Sequence, residues 1–264
     1  MRMPSVFVSH GSPMTAIQDA PARRFLQDFG RQLPRPEAIL ILTAHFESRI
    51  PALTVDEKPA MIYDFGGFPK PLYEIVWSAP GSPDLAMRAG RMLQAEGVQA
   101  GIVRDRGYDH GTWVPLMLMY PEADIPVVQL SVLPEENSAA HIDLGRKLSA
   151  LRDEGVLIIG SGSLTHNLRA LNQLGRDLEA PVQPWVADFT DWIADKVEAG
   201  DTDAIAAYRE TAPHAVENHP WDEHFLPLPF AMGAGAGKDG SAKGKRVHAS
   251  YEYGVLAMDA YVFG

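Results

Sequence analysis

Three histidines stand where an apolar run gives way to small or polar turn residues. His10 follows Val6-Phe7-Val8-Ser9, and His45 follows Ile39-Leu40-Ile41-Leu42-Thr43-Ala44. His166 ends Gly160-Ser161-Gly162-Ser163-Leu164-Thr165, behind the run Val156 to Ile159. In an open parallel sheet such places are strand carboxyl ends, where ligands bind. Imidazole is the commonest metal ligand and titrates near neutral pH. Three imidazoles meeting in one crevice therefore point to a metal site, a proton relay or both.

The other histidines divide into groups. His110 lies in Gly107-Tyr108-Asp109-His110-Gly111-Thr112-Trp113, whose aromatics and glycines suit a pocket wall; Asp109 and His110 side chains diverge if the segment is extended. His214, His219 and His224 cluster late in the chain, but neither the i, i+4 spacing nor a His-Glu-x-x-His string of a zinc-protease helix is present. His141 and His248 fall in ordinary helix and strand segments and read as solvent-exposed. Gly160-Ser161-Gly162-Ser163 has neither the spacing nor the lysine of a phosphate-binding loop.

The elements that must position these residues can be read from periodicity. Strand-like runs at Ser5 to Val8, Ala38 to Thr43, Val127 to Val132 and Val156 to Gly160 alternate with longer helical segments. This predicts an α/β fold with a central, mostly parallel or mixed sheet flanked by helices. Ser138 to Arg152 reads as the clearest helix: Ile142, Leu144, Leu148 and Leu151 share a face, Asp143, Arg146, Lys147 and Arg152 face water, Ser138 caps it and Gly155 stops it. Pro83 to Gln94, Pro184 to Val197 and Phe225 to Met232 are further helix candidates, and Pro13 can open a turn of helix after Gly11. Pro59 to Pro71 holds too many prolines and glycines for a regular element and reads as a loop over the pocket. From it and the His110 segment, Tyr63, Phe65, Phe68, Tyr108 and Trp113 are candidate aromatic walls, with core packing the alternative for each. Gly233 to Lys245 reads as a mobile connection, and Arg246 to Tyr253 and Val255 to Phe263 as closing strands. Nothing along residues 1–264 marks a second domain.

Composition narrows the function. The 264 residues are 46% hydrophobic and 22% charged, as in a globular protein, and the formal charge of −11 opposes binding to phosphate backbones and anionic lipid. Neither a nucleic-acid nor a membrane partner is expected. The absence of cysteine confines any metal to nitrogen and oxygen ligands. With no apolar stretch of membrane-spanning length and no signal-like leader, a cytoplasmic location is expected.

The ordered segments Ser9-His10-Gly11-Ser12-Pro13, Thr43-Ala44-His45, Tyr63-Asp64-Phe65-Gly66-Gly67-Phe68-Pro69, Tyr108-Asp109-His110-Gly111-Thr112-Trp113, Gly160-Ser161-Gly162-Ser163-Leu164-Thr165-His166-Asn167 and Glu223-His224-Phe225-Leu226-Pro227-Leu228 carry a resemblance over nearly the whole chain. The chain resembles the 4,5-DOPA extradiol dioxygenase family, within the class III extradiol ring-cleavage superfamily that includes protocatechuate 4,5-dioxygenases. The resemblance implies that His10, His45 and His224 hold a divalent metal, where the protocatechuate branch has a glutamate as third ligand; Glu223 stays an alternative to His224. It also implies that His166 is the acid-base residue, with Asn167 as its orienting partner on geometric grounds, and that His110 meets substrate or its developing oxyanion. The implied reaction inserts both atoms of O2 into a catechol-type, DOPA-like ring outside its two hydroxyls, giving a yellow muconic semialdehyde. Fe(II) is expected for that activity, with Zn(II) compatible with the isolated protein. The expected partners are the small aromatic substrate and O2, in a monomer or small homo-oligomer. A zinc-dependent hydrolase using the same histidines is the alternative enzyme, and a binding protein that has retired the site is the alternative outside catalysis.

Overall fold

Valine, isoleucine and leucine run through the central strands without polar interruption because both faces of the sheet are covered. The computed structural model describes residues 2–175, 177–237 and 240–264. Its strands are β1 (Ser5–Ser9), β2 (Ala38–Glu47), β3 (Ala52–Thr54), β4 (Gly101–Val103), β5 (Val127–Val132), β6 (Val156–Gly162), β7 (Gly244–His248), β8 (Tyr251–Glu252), β9 (Leu256–Ala257) and β10 (Ala260–Phe263). The helices are α1 (Pro21–Gln32), α2 (Pro83–Ala95), α3 (His110–Met119), α4 (Ser138–Leu148), α5 (Leu168–Leu174), α6 (Pro184–Ala199), α7 (Thr202–Ala206), α8 (Tyr208–Thr211), α9 (Ala215–Asn218) and α10 (Pro227–Gly235).

Among the described residues, eight strands form one mixed sheet in the order β4-β3-β5-β2-β6-β1-β10-β7. Its middle, β5-β2-β6-β1, is parallel, and antiparallel pairs join β3 to β5 and β1 to β10. Strand alternation divides the core between the two faces. Ile39 and Ile41 pack with α1 and α3, while Leu40 and Leu42 pack with residues of α2, α4 and α10. The expected α/β architecture with a flanked, mixed sheet is the observed one.

Several local expectations need correction. The helix read from Ser138 to Arg152 ends at Leu148 and continues as a 3-10 segment, Ser149–Glu154, to Gly155; Asn137, whose side chain accepts from the Ala140 N–H, is its cap. Arg152 is buried rather than wet, donating to the carbonyls of Met3 at 2.6 Å and Ala234 at 2.8 Å. His141 is fully buried. Its Nε2 accepts from the Leu133 N–H at 3.2 Å and its Nδ1 lies 2.9 Å from the Asn137 carbonyl, so the ring is a structural crosslink. His248 is half-buried and stacked on Phe25 with ring centroids 4.4 Å apart. The two closing strands are broken into four, because Tyr253 and Gly254 take positive φ and fold β8 back on β9. The expected connection from Gly233 to Lys245 is shorter at both ends, since α10 runs to Gly235 and β7 begins at Gly244; residues 238 and 239 within it lie outside the described residues.

Glu252 on β8 is buried, its Oε1 has no hydrogen-bond partner, and burial pushes its carboxyl up to about 7. A carboxyl raised in the folded state binds its proton more tightly there than in the unfolded chain. Stability therefore falls as pH rises from the unfolded value, near 4.5, to about 7, and stays lower above that. Glu252→Gln removes the titration. Urea denaturation should find the variant close to the parent at pH 4.5 and about 1–3 kcal/mol more stable than the parent at pH 8; an equal offset at both values would mean that the carboxylate finds a partner.

Candidate active site

The parallel register of β2, β6 and β1 brings three strand ends side by side. His10 follows β1 directly, its N–H bonded to the Gly162 carbonyl at the end of β6 at 2.9 Å. His45 sits in β2 beyond the register break that follows Thr43. His166 lies four residues past β6, its N–H bonded to the Asn218 carbonyl at 3.0 Å. His110 opens α3, and His224 precedes α10 with its carbonyl accepting from Ser163 N–H at 2.9 Å. A Cβ on Gly162 would lie 2.1 Å from that same His224 carbonyl. The Gly-Ser-Gly-Ser stretch is thus explained by close backbone approach, which lets the segment carrying His224 lie against β6.

All five imidazoles converge on one cavity of about 360 Å³, walled by Pro13, Phe65, Phe68, Leu168, Leu171 and Leu256. His10, His110 and His224 are buried and His45 and His166 are half-buried. The ring centroids of His10, His45 and His224 form a triangle with sides 5.0, 5.5 and 4.9 Å. His110 lies 4.0 Å from His45 and 5.4 Å from His10, and His166 stacks on His224 at 3.5 Å.

Hydrogen bonds fix which nitrogen His10 and His224 present. Ser161 Oγ donates its one proton to the Gly111 carbonyl at 2.5 Å, so it must accept from His10 Nδ1–H at 3.0 Å. His10 Nε2 is left with a lone pair facing the cavity, 3.1 Å from His45 Nε2. His224 Nδ1 is bonded to Glu223 Oε1 at 2.9 Å, leaving its Nε2 free in the same way. Asp64 Oδ1 accepts from the His110 backbone N–H at 3.0 Å and lies 3.0 Å from His110 Nδ1, while its Oδ2 is 3.8 Å from His45 Nδ1. Orientation through the second ring nitrogen is how metal-binding histidines are usually held. Ser161 and Glu223 are such partners for His10 and His224, and Asp64 stands beside the Nδ1 atoms of His110 and His45.

Burial first, and mutual repulsion among the rings second, keep the imidazoles of His10, His45, His166 and His224 uncharged. His10 and His224 are held well below the ordinary histidine range, His45 falls to about 3 despite Asp64, and His166 to about 4. Burial alone would raise Asp64, but its contacts with His110 outweigh that and lower it. Neutral imidazoles with cavity-facing lone pairs are the form that binds a divalent metal. The nitrogen donors are of the kind that hold a divalent ion, in more than one grouping. Imidazoles ligated at about 2.0–2.1 Å in a tetrahedral arrangement place ring centroids roughly 5 Å apart, close to the sides of the His10, His45, His224 triangle. By donor-atom distance alone, His10, His45 and His110 form one group within 4.8 Å, and His166, Glu223 and His224 another.

Other candidates fall outside the cavity. Tyr108 and Trp113 are core residues, bonded to the Pro80 and Ile62 carbonyls respectively, and Tyr63 donates to the Ile75 carbonyl; only Phe65 and Phe68 of the five aromatics line the cavity. Asn167 does not orient His166: its side chain accepts from Ala170 N–H and donates to the Glu217 carbonyl, capping α5. His219 is buried, with Nε2 2.8 Å from the Leu164 carbonyl, and supports the loop before His166 from beneath. Asp64 and Ser161 were visible only as members of noted segments. The segment is not extended: Asp109 caps α3, accepting from Thr43 Oγ1, Thr112 N–H and Arg106 Nη2, and Arg106 also donates to the His45 carbonyl.

Comparison with known proteins gives a consistent result. The family described as the catalytic LigB subunit of aromatic ring-opening dioxygenase matches residues 4–264. The chain is 43% identical over 261 residues to a 4,5-DOPA dioxygenase extradiol of Beta vulgaris, covering 97% of this chain and 95% of that protein. It is 39% identical over 244 residues to the Escherichia coli K12 protein of that name, covering 90% and 87%. A crystal structure of an uncharacterized Escherichia coli K12 protein superposes with a TM-score of 0.79 at 34% identity, covering 100% of both chains.

Gly111 tests the packing that seats His45. A Cβ there would lie 2.6 Å from Thr43 Oγ1 and 2.9 Å from His45 Cδ2. Gly111→Ala should lose about 1–3 kcal/mol of stability by overpacking and bind divalent metal at least about tenfold more weakly, as read by thermal denaturation and equilibrium dialysis. Parental metal affinity in that variant would remove His45 from the binding set.

Proposed function

Because the chain belongs to the family of catalytic LigB subunits of aromatic ring-opening dioxygenases, we propose that this cavity cleaves a catechol-type, DOPA-like ring outside its two hydroxyls, inserting both atoms of O2. His10, His45 and His224 hold the metal in this reading, and the metal is Fe(II), with Zn(II) an occupant of the isolated protein that cannot replace its redox chemistry. The observation that carries the reading is the near-equilateral triangle of their rings, with the Nε2 of His10 and of His224 unprotonated and that of His10 facing His45 Nε2. Bound iron supplies the electron exchange with O2 that a histidine cannot.

The remaining residues handle protons and position. His166 enters uncharged because burial holds it at about 4, so it can accept a catechol hydroxyl proton and return it as the ring opens. Its stacking on His224 fixes the ring plane beside the ligand it serves. His110, placed beside Asp64 from the loop that carries Phe65 and Phe68, lies against a substrate oxygen in this reading. Phe65 and Phe68 exclude water from that exchange. Among the described residues no helix is long and apolar enough to cross a membrane. We read the partners as the aromatic substrate and O2.

Oxygen consumption and near-visible absorbance after anaerobic iron loading should show uptake with a yellow product on simple catechols, and none in a zinc-loaded control. No uptake by fully loaded protein would shift the assignment to zinc-dependent hydrolysis. His166→Gln should lower turnover by about 10²–10⁴ with metal content intact, whereas His224→Ala should lose the metal. If His110→Ala loses metal and His224→Ala keeps it, the third ligand is His110.

A further inference from the structure

We propose that Arg106 and Asp109 are positioning residues, an ion pair that sets His45 and His110 against each other although the two arrive on separate elements; this rests on the reading of His45 as a metal ligand given above. β2 leaves its ladder where it carries His45. Its register with β5 passes from Thr43 opposite Ser131 to Glu47 opposite Val132, so residues 44–46 are inserted against a single step of β5, and its register with β6 ends at Thr43. A bulge re-aims a side chain at the cost of the ladder bonds that would hold it. Side chains take over that task. The His45 N–H donates to Thr43 Oγ1 at 3.3 Å, and the His45 carbonyl accepts from Arg106 Nη2 at 3.0 Å. The Arg106 guanidinium also lies 4.2 Å over the ring of Phe46, where the π-face attracts it.

The same Nη2 donates to Asp109 Oδ2 at 2.9 Å. Asp109 is buried, and its Oδ1 accepts from Thr112 N–H at 3.0 Å, capping the helix that His110 opens, and from Thr43 Oγ1 at 2.9 Å. These bonds close a circuit from the His45 carbonyl through Arg106, Asp109 and Thr43 back to the His45 N–H. One carboxylate thus fixes the start of α3 and, through its two partners, both backbone groups of His45. The two rings stand 4.0 Å apart. An ion pair taken out of water contributes little net stability, because desolvation offsets the attraction. Groups that hold metal ligands from behind, by contrast, govern affinity by about 10- to 100-fold.

The test reads Zn(II) affinity by competition dialysis, at a temperature where the variants are folded, together with the NMR signals of the histidine ring nitrogens. Arg106→Met keeps an apolar stem over Phe46 and removes the donor. Thr43→Val keeps the shape and removes the hydroxyl, and it decides alone if Arg106→Met does not fold. Each should weaken zinc binding by about 10- to 100-fold and shift the His45 and His110 signals together, leaving that of His141 in place. Leu148→Ala, a truncation in the buried face of α4, should lower the melting temperature and keep the parental zinc affinity. Parental affinity with unmoved His45 and His110 signals, or an equal loss of affinity in Leu148→Ala, would overturn the positioning role. His45→Ala separates that role from the reading beneath it: parental zinc affinity there would overturn the ligand assignment, and the paired imidazole shifts would still decide the positioning.

Discussion

Imidazoles crowded into one small buried cavity are pressed to stay uncharged. Two protonated rings about 4 Å apart would repel by several kcal/mol in a protein environment, and burial adds a desolvation cost to each. The lowered titration of His10, His45, His166 and His224 is the consequence. It has a second effect: a neutral imidazole has one donor and one acceptor nitrogen, so the site must settle which is which. Ser161 does so for His10 and Glu223 for His224, and both leave Nε2 toward the centre. The polar groups just behind the rings are therefore as necessary to the chemistry as the rings themselves.

That constraint reaches into the sheet. Ser161 can meet His10 because β6 runs parallel to β1 with Val8 opposite Ser161, and His45 reaches the same place because β2 lies on the other side of β6. Three adjacent parallel strands thus end in one row. The fourth wall comes from α10, whose approach depends on the bare backbone of Gly162. A larger residue there would push His224 away from the rings it completes.

Much of this was legible in the sequence. The positions of His10, His45 and His166 could be read from apolar runs that end abruptly, because a buried parallel strand leaves that signature. The order of the strands could not, since β2 and β6 are neighbours across more than a hundred residues and no local pattern records the pairing. Helix α3 was invisible for a related reason. Every residue from His110 to Leu118 except Met117 is buried, so it lacks the polar stripe that marks an amphipathic helix, and Pro115 sits inside it. Arg152 and His141 misled because polar type usually means exposure, and only the fold reveals the carbonyls and N–H that each one satisfies. Tyr108 and Trp113 were drawn into the pocket by their neighbour His110, although their polar atoms are spent on carbonyls in the core.

Asp64 joins parts of the molecule that the sequence presents separately. It belongs to the aromatic loop, accepts the His110 backbone N–H that opens α3, and reaches toward His45 on β2. Phe65 and Phe68 are therefore anchored through the same carboxylate that orients His110. A loop tied only by its aromatic contacts could open without disturbing the histidines. Here the wall is coupled to His110 through the hydrogen bond that Asp64 accepts from the His110 N–H. The coupling requires the carboxylate at the loop's inner end, next to the aromatics it anchors, which is where the run Tyr63-Asp64-Phe65 places it.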